Sequence, residues 1–255
     1  MKNRRLWLAL GVGAYLAFAL SALPAATAVR WLVPQEMGLS GIQGTVWSGS
    51  AASGTVRGLP VQDVRWRLRP WTLLTGRVGA NVEARLADGF LNAEITTTTS
   101  RVQSTNLRAG MSLTTLALMV PAVAAARARG QASVALSSIE IGNGRVSNVR
   151  GELKLAAIEI APFIPNGSSN LLPLGDYTVT FGEAREGSIA GRFIDNGGPL
   201  ELAGTFVVDA AREYTFDALI KPRAGASEQL IQGLKLMTAD PGADGRYRLT
   251  LTGSL

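Results

Sequence analysis

The chain has 255 residues, 47% of them hydrophobic, so it is long enough to bury a sizeable core. It contains no cysteine and no histidine, which excludes disulfides, thiol nucleophiles, Cys/His zinc sites and His-dependent catalytic triads. The net charge of +6 comes mainly from arginine and would favour nucleic-acid partners in a cytosolic protein.

The N-terminal segment predicts a membrane anchor. An uncharged run over residues 6–29 is long enough, as a helix, to cross a hydrocarbon core of about 30 Å. It is flanked by basic and interfacial aromatic side chains, which are Lys2, Arg4, Arg5, Trp7 and Trp31. The positive-inside rule then predicts a cytoplasmic N-terminus at 1–5, a transmembrane anchor at 6–28 and a periplasmic domain at 29–255.

A cleaved signal peptide is the alternative for the same segment. Pro24 would break the helix, and Ala26, Thr27 and Ala28 have the small-x-small pattern of a cleavage site. The apolar run over residues 6–23 exceeds the usual length of a signal peptide, about 7–15 residues, so a retained anchor is favoured. Either alternative exports the domain, which argues against a nucleic-acid partner.

Period-two alternation is the dominant signal after the anchor. Arg65, Arg67 and Arg69 alternate with three apolar residues until Pro70, which predicts a half-buried antiparallel strand. A second alternating run, at 78–86, is followed by Asp88-Gly89, a pair typical of two-residue hairpin turns. Similar segments occur at 139–141, 153–155, 177–181, 200–202, 214–220 and 247–251. The sequence therefore predicts a mainly β protein.

Two further segments have helical patterns. Ser227 is a candidate N-cap for a helix that packs on the sheet through Leu230, Ile231, Leu234 and Met237. The other candidate runs over residues 112–129, where a buried or connecting helix is favoured over a second membrane span because Pro121 lies within it. A subdivision near 105–130 and one continuous curved sheet both stay open.

Three segments are more distinctive than the rest of the chain. They are the glycine-rich stretch around Trp47 at 38–51, the stretch at 64–71 followed by Leu74 and Gly76, and the C-terminal stretch at 197–249. Together with the anchor they resemble the type II secretion system protein N family over roughly half to two-thirds of the chain. The resemblance implies a single-pass inner-membrane accessory component of the machinery that exports folded proteins through an outer-membrane secretin.

The family resemblance also sets expectations for fold and partners. It implies a transmembrane helix followed by a curved, mostly antiparallel sheet with one or two packing helices, similar to the AsmA-like envelope proteins. The expected partners are other type II secretion subunits, namely the secretin and inner-membrane platform proteins, together with the inner membrane. The alternative function is that of an AsmA-like protein that binds or transfers phospholipid.

The candidate partner contacts are Arg65, Arg67, Arg69, Trp47 and Trp71, because arginine and tryptophan concentrate at interface hot spots. A solvated face for the arginines and core packing for the tryptophans are the favoured alternatives. No enzyme activity, cofactor or metal is expected. Outside the N-terminal segment the lysines are Lys154, Lys221 and Lys235, and none lies beside a recognisable nucleophile motif.

Overall fold

The computed structural model describes most of the chain after residue 36. The described residues are 11, 18, 22–27, 37–56, 58–98, 101–118, 120–142, 145–162, 171–182, 188–211, 213–238 and 241–254. The predicted anchor at 6–28 lies largely outside them, and so do all five of its predicted flanking residues. No helix in the described part of the chain combines the length and apolarity that a membrane crossing needs.

The chain divides into two compact units, residues 1–87 and 88–255. In the N-terminal unit the strands are β1 (Met37–Ser40), β2 (Gln43–Gly44), β3 (Ser48–Val56), β4 (Leu59–Arg69) and β5 (Val78–Leu86). β3 pairs antiparallel with β1, β2 and β4, and β4 pairs with β5. A short 3₁₀ helix, Pro70–Thr75, connects β4 to β5. The domain boundaries expected from the sequence stay predictions.

The C-terminal unit is a meander in which each strand pairs antiparallel with the next. Its strands are β6 (Gly89–Thr97), β7 (Arg101–Ser112), β8 (Arg129–Gly142), β9 (Arg145–Ile160), β10 (Leu172–Gly182), β11 (Ile189–Asp195), β12 (Leu200–Val208), β13 (Glu213–Pro222) and β14 (Tyr247–Ser254). The mainly β, antiparallel class predicted from the alternation is confirmed.

The apolar residues of the last five strands line up across the sheet on one side. Phe181, Gly191, Phe206, Phe216 and Leu251 form one such row by strand register. The opposite side carries a polar row made of Thr180, Arg192, Thr205, Asp217 and Thr250. This separation follows from the period of two, because successive side chains of a strand point to opposite faces.

One helix covers part of this apolar side. The helix predicted to begin at Ser227 is present as Glu228–Met237, and the Ser227 Oγ accepts a hydrogen bond of 3.3 Å from the Leu230 N–H. Leu230 and Leu234 are buried, whereas Met237 is exposed. Leu234 belongs to a core cluster with Phe193, Leu200, Ala218, Ile220 and Tyr247.

The prediction of a single helix over residues 112–129 is wrong. Strand β7 continues to Ser112, whose side chain caps a one-turn helix, Leu113–Leu116. A second short helix, Pro121–Ala125, begins at the proline. Proline has no N–H and clashes with the preceding turn, so it begins a helix more readily than it continues one.

The turn predicted at Asp88-Gly89 is displaced by one residue. The turn residues are Ala87 and Asp88, and Gly89 already belongs to β6. Glycine is required there by the neighbouring strand, because a Cβ at Gly89 would lie 1.9 Å from the Gly110 carbonyl oxygen. Asp88 therefore lies in the turn as predicted, whereas Gly89 has a packing role in place of the expected turn role.

Strand β9 contains a residue with a strained backbone, Ala157, close to points where its pairing with β8 and with β10 changes register. Ala157 has a φ of 50° and donates a 2.7 Å hydrogen bond from its N–H to the Asp176 Oδ1. A left-handed conformation costs a non-glycine residue about 1–2 kcal/mol, so Ala157→Gly should raise the free energy of unfolding by about 0.5 kcal/mol despite the greater flexibility of the unfolded chain. Urea titration checks this. Ala156→Gly, at an ordinary φ in the same strand, should change stability in the opposite direction, and two changes of equal sign would contradict the strain.

Candidate interaction surface

Strand β4 presents its arginines on one side and its apolar residues on the other. Arg65, Arg67 and Arg69 are exposed, whereas Val64, Trp66 and Leu68 are half-buried. The alternation seen in the sequence therefore corresponds to two different environments. The three arginines therefore form an exposed row of one charge on this strand.

A depression of about 530 Å³ lies over this part of the sheet. Its polar lining comes from four strands, as Gln43, Ser48, Ser50, Arg65, Arg67, Asn81 and Glu83. Strand register explains the assembly, because Arg65 lies opposite Ser50 on β3 and Glu83 on β5. Arg67 in turn lies opposite Ser48 and Asn81.

The charges in the depression are only partly balanced. Among the described residues, neither Arg65 nor Arg67 forms an ion pair. The nearest carboxylate by register is Glu83. Other arginines of this unit are engaged, since Arg69 donates a 2.7 Å hydrogen bond to the Asn81 Oδ1 and Arg85 pairs with Asp63 at 3.1 Å. Two guanidinium groups beside serine hydroxyls suit a carboxylate or a phosphate group.

The tryptophans differ in their environments. Trp66 covers Gly49, where a Cβ would lie 2.4 Å from the indole ring, and its Nε1–H donates a 3.1 Å hydrogen bond to the Val46 carbonyl. Trp47 is half-buried. Trp71, in the 3₁₀ helix after β4, is 79% exposed. Of the two candidate contact tryptophans, only Trp71 is freely accessible, and the contact role of all five candidate residues stays a prediction.

The serines of the depression could not be predicted from local sequence patterns. Ser48 and Ser50 join the arginines only through the β3–β4 register, which no local pattern specifies. Asn81 and Glu83 could be assigned to the polar side of β5 from the alternation alone, but not to a shared depression with Ser48.

No site with the composition of a catalytic centre was found in the described residues. They contain no group of three acidic, His or Cys side chains that could hold a metal ion. Lys154 pairs with Glu152 at 3.7 Å on the surface, and Lys221 and Lys235 are exposed. The chemistry that this arrangement offers is recognition of an anionic group.

Comparison with known proteins supports the family suggested by the sequence. Residues 35–250 match the family described as type II secretion system (T2SS), protein N. The chain is 27% identical to the type II secretion system protein N of Aeromonas hydrophila, with the full length of both chains covered. It is 25% identical to the protein of the same name from Vibrio cholerae serotype O1, over 91% of each chain.

No solved structure matches the chain significantly, and none of these matches supports the expected similarity to AsmA-like proteins. The family match covers well over half of the sequence and most of both described units. The chain therefore belongs to the type II secretion system protein N family.

Proposed function

We propose that the chain is an anchored accessory component of the type II secretion system, with its β domain in the periplasm, and that it acts by protein–protein contact. Membership of the protein N family supports a role in type II secretion and in protein transport. The family is one of secretion accessory components and is not known for enzyme activity. The expected partners are other secretion subunits.

The depression on the N-terminal unit is the observation that carries the contact surface. Arg65 and Arg67 are exposed, lack ion-pair partners among the described residues and lie side by side with two serine hydroxyls. A carboxylate of a partner protein would provide the missing counter-charge, and planar guanidinium groups bind carboxylates with two parallel hydrogen bonds. Acidic side chains on another secretion subunit are therefore the ligand that this surface fits best.

Charge reversal tests the proposal. The double variant Arg65→Glu/Arg67→Glu should reduce the amount of secretion subunits that co-purify with the full-length chain by roughly tenfold, because it replaces attraction with repulsion. Mass spectrometry of detergent pull-downs from the native envelope measures this, and secretion of a folded substrate provides a second measurement.

The control is an equal charge change elsewhere. Arg108 and Arg192 are exposed strand residues of the C-terminal unit, so Arg108→Glu/Arg192→Glu should leave co-purification near the wild-type level. Equal losses in both double variants would indicate a general charge effect. Unchanged recovery in Arg65→Glu/Arg67→Glu would remove the depression as the contact surface.

Phospholipid binding is a second candidate function, favoured by one observation. The apolar side of the last strands leaves Phe206 and Phe216 only half-buried and Leu251 exposed. Such a surface would suit acyl chains. Stoichiometric phospholipid in the same pull-down, without secretion subunits, would favour this function over the first.

A further inference from the structure

A second exposed feature lies in the connection between β4 and β5, which we call the tip (residues 70–78). Trp71 is 79% exposed and Leu74 is 83% exposed, and Leu73 and Val78 are also accessible. None of the six residues of the 3₁₀ helix is buried. Several large apolar side chains thus project from one short connection into solvent, which is unfavourable unless something covers them.

The tip is held in this conformation by its own hydrogen bonds. The Thr72 Oγ1 donates to the Arg69 carbonyl at 2.7 Å and accepts from the Gly79 N–H at 2.9 Å. The Thr72 carbonyl accepts from the Arg77 N–H at 3.0 Å and from the Thr75 hydroxyl at 2.8 Å. Because Thr72 fixes the backbone, the neighbouring apolar side chains are presented by an ordered turn.

The charge around the tip has one sign. Residues 64–82 contain four arginines and no aspartate or glutamate. Arg69 precedes the 3₁₀ helix and Arg77 follows it, and both are exposed. The tip therefore combines exposed apolar side chains with one cation before the 3₁₀ helix and one after it.

We propose that the tip inserts into the surface of an anionic lipid bilayer. Tryptophan favours the membrane interface, leucine favours the hydrocarbon below it, and arginine binds the phosphates above it. Arg69 and Trp71 are only two positions apart in the chain, so the arginine can bind the phosphates while the tryptophan lies at the membrane interface below them.

A protein partner fits the tip less well than a bilayer does. A convex apex needs a matching pocket on a protein, whereas a fluid bilayer adapts to it. The order of the side chains, with leucine and tryptophan at the apex and arginine behind, also matches the layers of a membrane. The tip adjoins the Arg65 and Arg67 depression through the hydrogen bond from Arg69 to Asn81, but none of residues 70–78 lines the depression, and the contact does not depend on the N-terminal anchor.

The absence of cysteine from the chain makes a site-specific depth measurement straightforward. Leu74→Cys is labelled with a nitroxide in the full-length chain, reconstituted in bilayers of phosphatidylethanolamine and phosphatidylglycerol. The label should collide with oxygen in preference to a water-soluble nickel chelate. Leu236→Cys is the matched control, because Leu236 is 70% exposed in the C-terminal unit. The oxygen-to-nickel ratio should be at least about fivefold higher at position 74.

Lipid charge and the arginines supply the remaining tests. Replacing phosphatidylglycerol with phosphatidylcholine, or adding Arg69→Gln and Arg77→Gln, should lower the inserted population by roughly tenfold. A label at position 74 that stays accessible to nickel in both bilayers would overturn the proposal. So would a label that loses nickel access in detergent only when another secretion subunit is added, since that result identifies a protein partner.

Discussion

Replacing Asp195 with alanine is expected to lower the free energy of unfolding by about 3 kcal/mol. The Asp195 side chain is only 7% exposed and lies at the end of β11. Its oxygens accept hydrogen bonds from the Leu202 N–H at 2.8 Å and the Gly197 N–H at 3.0 Å, and one pairs with Arg223 at 2.7 Å. The alanine variant would leave two backbone donors and a guanidinium group without this acceptor.

The Asp195 interactions join segments that are distant in the sequence. Arg223 also donates to the Gly198 carbonyl at 2.6 Å and the Leu200 carbonyl at 3.2 Å, so it ties the chain after β13 to the β11–β12 turn. The negative charge of Asp195 also acts on the Tyr177 phenol. Burial, followed by the Asp195 charge, raises the pKa of Tyr177 to about 12, so the phenol stays protonated at neutral pH.

The pH dependence of the Asp195 effect has a definite sign. Burial alone would raise the pKa of Asp195, but the hydrogen bonds from Leu202, Gly197 and Arg223 outweigh it and hold the pKa below its ordinary value. The stabilisation by the charged form is therefore complete above the unfolded-state pKa, about 3.9. It is lost as the pH falls through the lower folded-state pKa.

Urea titrations of wild type and Asp195→Ala at pH 6 and at pH 3 measure both the size and the sign. The difference in unfolding free energy should be largest at pH 6 and smaller at pH 3. Asp217→Ala is the control, because Asp217 pairs with Arg248 on the surface, where ion pairs contribute little. A difference that grows on acidification would contradict the assignment of a stabilising Asp195 carboxylate.

The sequence predicted the parts of the fold that are specified locally. The strand at β4 follows from alternation over six residues, and the helix after Ser227 follows from one cap and a helical apolar spacing. The connection from β11 to β12, at 196–199, also contains a local signal, because its Asn-Gly pair is typical of tight turns. In each case the information lies within about ten residues.

The features that escaped prediction depend on which strands are neighbours. Asp195 and Arg223 are 28 positions apart, and only the β11–β12–β13 register brings them together. The arginine row was predicted, but the depression needs Ser48 opposite Arg67 and Asn81 on the other side. A β-bulge at Asp63, which has a φ of 48°, also shifts the β4–β5 register. No periodicity encodes such pairings.

A substitution at Gly204 is also expected to lower the free energy of unfolding strongly, because a neighbouring strand occupies the space that a side chain would need. A Cβ at Gly204 would lie 2.4 Å from the Asp217 carbonyl oxygen, 2.5 Å from the Phe193 ring and 2.8 Å from the Ala218 Cα. Two of these neighbours are backbone atoms that cannot move alone. Phe193 is buried and stacks on Phe216 with ring centroids 4.6 Å apart.

Gly204→Val should therefore lower the free energy of unfolding by about 3 kcal/mol, through overpacking and loss of the ring stack. Gly182→Val is the matched control, because nothing lies within 4 Å of a Cβ there and valine favours a strand. Urea unfolding of both variants, followed by circular dichroism, measures the difference. Equal unfolding midpoints for the two variants would mean that β11, β12 and β13 do not pair in this register. The Asp195–Arg223 contact depends on the same register, so it would not form either.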